Sequence, residues 1–349
     1  MKILPIMAAA AITLGAAHPA EACSRVVFLS DSAAKENIVM VGRTLDWRTP
    51  IPTNIYVYPA GITKQSMPQG PMLRWTSKYG SVVSVGYDGG ITEGMNNQGL
   101  IMNSLFCKTA IYREAKADED VPVVSLSMIV SYFLDNFQTV DEVDTWLKNN
   151  DFAIAGETFD GGTVSLLHFG ITDRMGETLL MEYVDGRLTT HRGRDLLVMT
   201  NDPNYTDMMA INKYWTNIGG THMLPGTVTS PDRFVRADFF INHVPHDVDY
   251  NTARAELASI MAYISVPMGY ELTGSPNVSP TQWRSISDAG RLRYYFKFTD
   301  SLSDFYVDLG KLMLTPGAPI LKLDTTDYSD FHGCINHELK KSSGFKPMW

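Results

Sequence analysis

The sequence predicts an α+β fold whose sheets are mostly antiparallel. Three observations carry that expectation. Short β-branched and aromatic runs fill the stretch after residue 23, a helical period takes over near residue 126, and strands return before and after a second block of helices. Strands and helices thus come in groups and not in alternation, and no G-x-G-x-x-G or Walker loop is present, so a doubly wound nucleotide-binding sheet is not indicated.

The runs "SRVVFLS" (24–30), "IVMVGRTL" (38–45), "NIYVYPA" (54–60) and "SVVSVGYD" (81–88) are short, apolar and bounded by turn residues, which is how strands read. After a Gly89-Gly90 turn, "ITEGMNNQGLIMNSLFC" reads as two more strands joined about Asn96-Asn97-Gln98-Gly99. In "SLSMIVSYFLDNF", Leu126, Ile129, Val130, Phe133 and Phe137 keep helical spacing. Thr139 with Glu142 makes a capping box for a following helix through Trp146 and Leu147. Strands are expected again at 164–173, 178–186 and 195–200, helices at about 205–216, 231–243 and 251–264, and final strands at 281–287, 291–298 and 304–310.

Composition narrows the class. The 349 residues are 44% hydrophobic and 19% charged, with a net charge of −9 and neither a repeat nor a Pro/Gly/Ser linker. One large domain is expected over 23–349. An acidic chain without a basic stripe argues against nucleic acid or an anionic membrane as partner. "HVPHD" (His243, His246, Asp247) is the nearest approach to a ligand cluster, and it reads better as an ordinary surface pair than as a metal site. No metal site is expected.

The first 22 residues read differently. Lys2 precedes an apolar run, "ILPIMAAAAITLGAA" (3–17), too short and too weakly flanked for a spanning helix but suited to a secretory leader. Ala20-Glu21-Ala22 supplies an A-x-A cleavage site. Cleavage after Ala22 makes Cys23 the first residue of an exported chain, periplasmic or secreted. Of the three cysteines, Cys23, Cys107 and Cys334, none lies in a C-x-x-C, and their redox states are not legible.

A terminal cysteine carries its own base. An α-amine titrates near pH 8 and a thiol near 8.5, so moving the proton from sulfur to nitrogen costs only about 0.7–1 kcal/mol. A nearby cation reverses that small preference. One residue then supplies nucleophile and base without a histidine. The competing reading, from a different class, is a lipobox cysteine on a lipid-anchored, non-catalytic envelope binding protein. Ala20 and Glu21 fit a lipobox poorly, and lipidation blocks both sulfur and amine.

"CSRVVFLSD", "VGRTLDW" (41–47), "EGMNNQGLIMNSLF" (93–106), "VMTNDP" (198–203) and "LPGTVTSPDRFVRA" (224–237) together resemble, in order, the choloylglycine hydrolase family of bile salt hydrolases and penicillin V acylases. The resemblance implies an αββα N-terminal nucleophile hydrolase sandwich and hydrolysis of a linear carboxamide without a cofactor. It casts Cys23 as nucleophile, Arg43 and Arg233 as arginines near the thiol, and Asp46 as the carboxylate that orients the terminal cysteine. Asn201, through its side-chain N–H, and the backbone N–H of Phe106 become the oxyanion donors. Arg43 and Asp46 stand three apart and face opposite sides of a regular strand, so both can serve one site only at a strand end or bulge.

Trp47 and Phe106 suit a pocket for a bulky apolar acyl group. The export signal and a short segment between Asn201 and Arg233 resemble the Gram-negative branch, which lacks the loop that helps assemble tetramers in Gram-positive bile salt hydrolases. A homo-oligomer stays open. So does the amide: a conjugated bile salt, penicillin V or, as the alternative within this fold, an N-acyl homoserine lactone.

Overall fold

Strand β1 (Ala22–Leu29) pairs antiparallel with β2 (Val39–Asp46) along its whole length, setting Cys23 opposite Leu45 and Ala22 opposite Asp46. The computed structural model describes residues 22–31, 36–113, 119–159, 162–219, 222–271 and 278–349; the leader-like segment 1–21 lies outside them. Around this pair runs a seven-stranded sheet in the order Val198–Met199, β1, β2, Thr281–Asp288, Arg293–Phe298, Phe305–Asp308 and Gly333–Cys334, antiparallel except at its last pair.

A second, nine-stranded sheet packs against it. Its order is Arg187–Gly193, Thr178–Val184, Leu167–Thr172, Ile101–Phe106, Gly90–Asn96, Ser81–Gly86, β3 (Thr53–Tyr58), Leu321–Leu323 and Lys340–Lys341, antiparallel throughout.

Helices close both outer faces. α1 (Leu126–Asn136) and α2 (Val140–Asn149) lie on the larger sheet, while α4 (Ser230–Ile241) and α5 (Tyr250–Tyr263) lie on the smaller one, with α3 (Tyr205–Asn217) against α4. The layers are therefore helix, sheet, sheet, helix. Alternation explains the continuous apolar run Val26–Leu29 in β1: Val27 packs between the sheets with Val41 and Leu45, whereas Val26 and Phe28 pack under the helices with Phe234 and Leu257. A strand buried on both faces loses the polar half of the period.

Strand and helix positions up to residue 310 follow the sequence pattern, and Leu321–Leu323, Gly333–Cys334 and Lys340–Lys341 add short strands that it does not mark; three further differences are informative. Arg187–Gly193, "RLTTHRG", forms an edge strand that the sequence reading passes over, because its polar, partly exposed side chains give no apolar period. The expected strand over 195–200 shrinks to Val198–Met199. At α2, Thr139 Oγ1 accepts from Glu142 N at 3.2 Å, but Glu142 Oε2 accepts from Gln138 N at 2.8 Å, one residue short of the reciprocal half of the box.

His246 stacks on Phe28 and spends both ring nitrogens on the carbonyls of Leu29 and Ile241, while His243 turns to Phe239. The two histidines thus serve packing and backbone. Among the described residues no helix is long and apolar enough to cross a membrane, and all three cysteines are free thiols.

Candidate active site

Cys23 sits at the open end of the cleft between the two sheets, 4% exposed. Odd-numbered residues of β1 face the cleft, so the thiol shares it with Arg43, which projects from the neighbouring strand. Arg43 Nη2 lies 3.8 Å from Cys23 Sγ and donates to the Ser104 carbonyl at 3.2 Å. The guanidinium stands 4.5 Å from the Trp283 ring centroid, and its Nε is 3.6 Å from Glu93 Oε2.

Glu93 is itself locked: Asn103 Nδ2 donates to Oε2 at 2.9 Å, and Ser285 Oγ and Tyr294 OH donate to Oε1 at 2.5 and 2.6 Å. Arg25 lies two residues from Cys23 in the same cleft and donates to Asn103 and Thr172. Burial pulls its pKa down to about 9. Two buried guanidiniums thus face one buried carboxylate, leaving surplus positive charge behind the thiol. Burial pushes the Cys23 thiol up from its ordinary value, and the Arg43 charge is the largest influence opposing that rise.

The even-numbered face of the same strands carries a second cluster. Asp46 turns its carboxylate away from the thiol: Thr281 Oγ1 donates to Oδ1 at 2.6 Å, Thr44 Oγ1 donates to Oδ2 at 3.1 Å, and Arg233 Nη1 stands 4.0 Å from Oδ2. The three-residue spacing from Arg43 accounts for this, since side chains alternate. What Asp46 offers the sulfur is its main-chain carbonyl, at 3.9 Å. The expected irregularity is real but lies on the partner strand, where the register slips between Thr281 and Trp283 opposite the end of β2. Burial raises the Asp46 carboxyl to about pH 6, against the opposing pull of Arg233, Thr281, Thr44 and Arg43.

Asn201 joins the two faces. Its Oδ1 accepts from Cys23 N and from Arg233 Nη2, each at 2.7 Å, and its Nδ2 donates to the Phe106 carbonyl at 2.7 Å. Arg233 comes from the first turn of α4, fully buried, and donates through Nη1 to the Cys23 carbonyl at 2.7 Å and to Ser24 Oγ. It therefore grips the main chain of Cys23 and not the sulfur. Ser230 fixes the approach of Asn201, with its Oγ accepting from Asn201 N at 2.9 Å.

Trp47 and Phe106 meet at 5.3 Å between ring centroids and line a cavity of about 100 Å³ beside Cys23, together with Ile91, Leu126 and Leu167. All seven residues singled out from the sequence converge here. Glu93, Glu157 and Met348 belong to the same neighbourhood and escaped the sequence reading. Glu93 left one signal, a single charged side chain inside a strand that is otherwise uncharged. Glu157 Oε1 takes Ser125 Oγ and Ser127 N, so it caps α1 from a distant segment and leaves none.

The chain matches the family described as linear amide C–N hydrolases, choloylglycine hydrolase family, over residues 23–329, beginning at the cysteine around which this site is built. It belongs to the choloylglycine hydrolase family. As a member of that family it is a hydrolase of linear carboxamides.

Among its relatives, a penicillin V acylase of Pectobacterium atrosepticum is 35% identical over 333 residues, covering 90% of this chain and 88% of that protein. A bile salt hydrolase/transferase of Bifidobacterium longum is 24% identical, covering 83% and 98%. The solved penicillin V acylase from Agrobacterium tumefaciens superposes with a TM-score of 0.84 at 36% identity, covering 93% and 99%. A conjugated bile acid hydrolase from Clostridium perfringens, at 19% identity and a TM-score of 0.71 over 90% and 99%, shares the fold. The αββα architecture is thus that of the choloylglycine hydrolases.

Proposed function

We propose that this choloylglycine hydrolase family member is an exported acylase of the penicillin V acylase type, acting from Cys23 once the leader 1–22 has been removed, and working in the periplasm or outside the cell. One observation supports the reading above others. Both ends of Cys23 enter one buried site, the nitrogen 2.7 Å from Asn201 Oδ1 and the sulfur 3.8 Å from Arg43.

With the leader gone, that nitrogen is an amine within the same residue as the thiol. The amine takes the Sγ proton, Sγ attacks the substrate carbonyl carbon, and the carbonyl oxygen gains the negative charge. The second N–H of Asn201 Nδ2, beyond the one given to Phe106 O, and the main-chain N–H of Phe106 are the donors for that oxygen. As the C–N bond breaks, the α-ammonium returns the proton to the leaving nitrogen. Water, deprotonated by the same amine, then releases the carboxylic acid and restores the thiol. Burial of Sγ also speaks for a free thiol, because a lipid chain on that atom has no room between the sheets.

The similarity to two penicillin V acylases favours an aryloxyacetyl acyl group. Amine release should be fastest with a phenoxyacetyl amide in a panel that includes glycine- and taurine-conjugated bile salts and acyl homoserine lactones. Turnover of a bile salt alone overturns this choice of substrate.

Asn201→Ala should lower kcat by about 10²–10³, the loss typical of one oxyanion donor. It should also lower Tm, because buried Arg233 Nη2 and the Cys23 nitrogen lose their shared acceptor. Unchanged kcat removes Asn201 from the site.

The sign of the pH dependence follows from Asp46. Its carboxyl is ionised above about pH 6 and neutral below, so the charge facing Arg233 is lost on acidification. Acidification through about pH 6 should therefore add a fall in rate beyond that caused by protonating the Cys23 amine, and Asp46→Asn should be slow at neutral pH without that added fall. An acid limb that persists unchanged in Asp46→Asn assigns it to another group.

A further inference from the structure

The segment after Lys340–Lys341 leaves the sheet and runs across its end to the cavity. Ser342 N donates to the Ile320 carbonyl at 2.9 Å, and the Phe345 ring packs on Tyr56 and Tyr58 at 6.1 and 6.3 Å between centroids. At Met348 the chain is held twice: Met348 N donates to the Gly89 carbonyl at 3.0 Å, and Ser127 Oγ donates to the Met348 carbonyl at 3.1 Å. Those two anchors are walls of the cavity, the turn after Ser81–Gly86 and the start of α1. The Met348 side chain lines the cavity that Cys23 faces.

The turn is a firm dock. Tyr87 and Asp88 adopt φ of 55° and 49°, a region costly for residues other than glycine. They are held there by Tyr87 N on the Pro52 carbonyl at 2.8 Å, and by Asn54, Tyr56 and Lys322 on the Asp88 carboxylate at 2.8, 3.0 and 2.8 Å. Gly89 has an ordinary φ. The three atoms nearest to a methyl group there all belong to Met348, at 2.7 Å for Cγ, 3.0 Å for Sδ and 3.2 Å for Cε. A side chain at position 89 thus presses first on the methionine.

The free volume of about 100 Å³ is below the roughly 150 Å³ apolar void that encloses a benzene ring, so this open cleft can seat an aryl or larger acyl group fully out of water only if a wall moves. Ile91, Leu126 and Phe106 are buried in the layers and cannot give way cheaply. Met348 is partly exposed, on an irregular strap, and unbranched with a polarisable thioether. We propose that Met348 is the adjustable wall that sets the size of acyl group the site accepts, with Gly89 holding it in place. The proposal rests on the reading of the Cys23 cavity as the acyl site.

The test uses amides of one chromogenic aromatic amine carrying acetyl, phenoxyacetyl and dodecanoyl groups, and reads the ratios of kcat/KM. Met348→Ala should raise the dodecanoyl-to-acetyl ratio by roughly tenfold or more, the scale of a few methylenes' worth of pocket. Gly89→Ala should shift the ratio in the wild-type background and shift it clearly less in Met348→Ala, since the three atoms nearest to the new methyl are then gone. A ratio within twofold of wild type in Met348→Ala, or an equal Gly89→Ala effect in both backgrounds, overturns the proposal. Failure of the underlying site reading looks different: Cys23→Ala then still hydrolyses all three amides.

Discussion

Cys23→Ala should lose amide hydrolysis by roughly 10⁶, the scale on which enzymes lose rate when the nucleophile is deleted. The fold should survive, because among the described residues the polar contacts of the sulfur are two long ones, at 3.8 and 3.9 Å, and its cluster with Leu105, Leu180, Leu196 and Met199 is small. Its main-chain bonds to Asn201 and Arg233 do not depend on the side chain. Circular dichroism and Tm close to wild type, together with no amine release from a phenoxyacetyl amide, are the expected pair of results.

Iodoacetamide applied to the wild-type protein should reproduce the loss, in step with alkylation of Cys23 and not with that of the partly exposed Cys334. Cys107 is a poor competitor, since burial raises its thiol to about pH 11. Full turnover in Cys23→Ala removes the thiol from the chemistry altogether.

Much of the site was legible because it is assembled from strand positions. Two-residue alternation along β1 and β2 places Cys23, Arg25 and Arg43 on one face and Ser24, Thr44 and Asp46 on the other. The same arithmetic puts the Asp46 carboxylate on the face away from the thiol, with Thr44 and Thr281. Asn201 was found as a residue, but its orientation was not: that its Oδ1 takes the Cys23 nitrogen depends on Arg233 arriving from α4.

Glu93, which steadies Arg43, needs the second sheet to be in place before its partners Ser285 and Tyr294 reach it. Met348 was illegible for a simpler reason. Its neighbours Gly89 and Ser127 are brought to it only by the closed sandwich, and an irregular strap has no period to read. Sheet edges went the same way: Arg187–Gly193 and Lys340–Lys341 are polar and partly or fully exposed, so the pattern that marks buried strands is missing from them.

The central claim is that Cys23 works only when its α-amine is free. Expressing residues 23–349 in the cytoplasm behind Met-Gly leaves one extra glycine after the methionine is removed. The thiol, Arg43, Asp46 and Asn201 are unchanged, but the nitrogen is now a neutral amide that can neither accept the Sγ proton nor return it to the leaving group. Loss of general acid–base help is worth about 10²–10⁴ in rate. Crowding is a small part of any loss, because in this structure the residue before Cys23 simply continues the strand opposite Asp46, with Cys23 N still bonded to Asn201.

The measurement is the hydrolysis rate of a phenoxyacetyl amide before and after an aminopeptidase trims that glycine, with intact mass read on the same samples. The rate should rise by at least about a hundredfold in step with the mass of the trimmed chain. Equal rates for the trimmed and untrimmed proteins contradict the account.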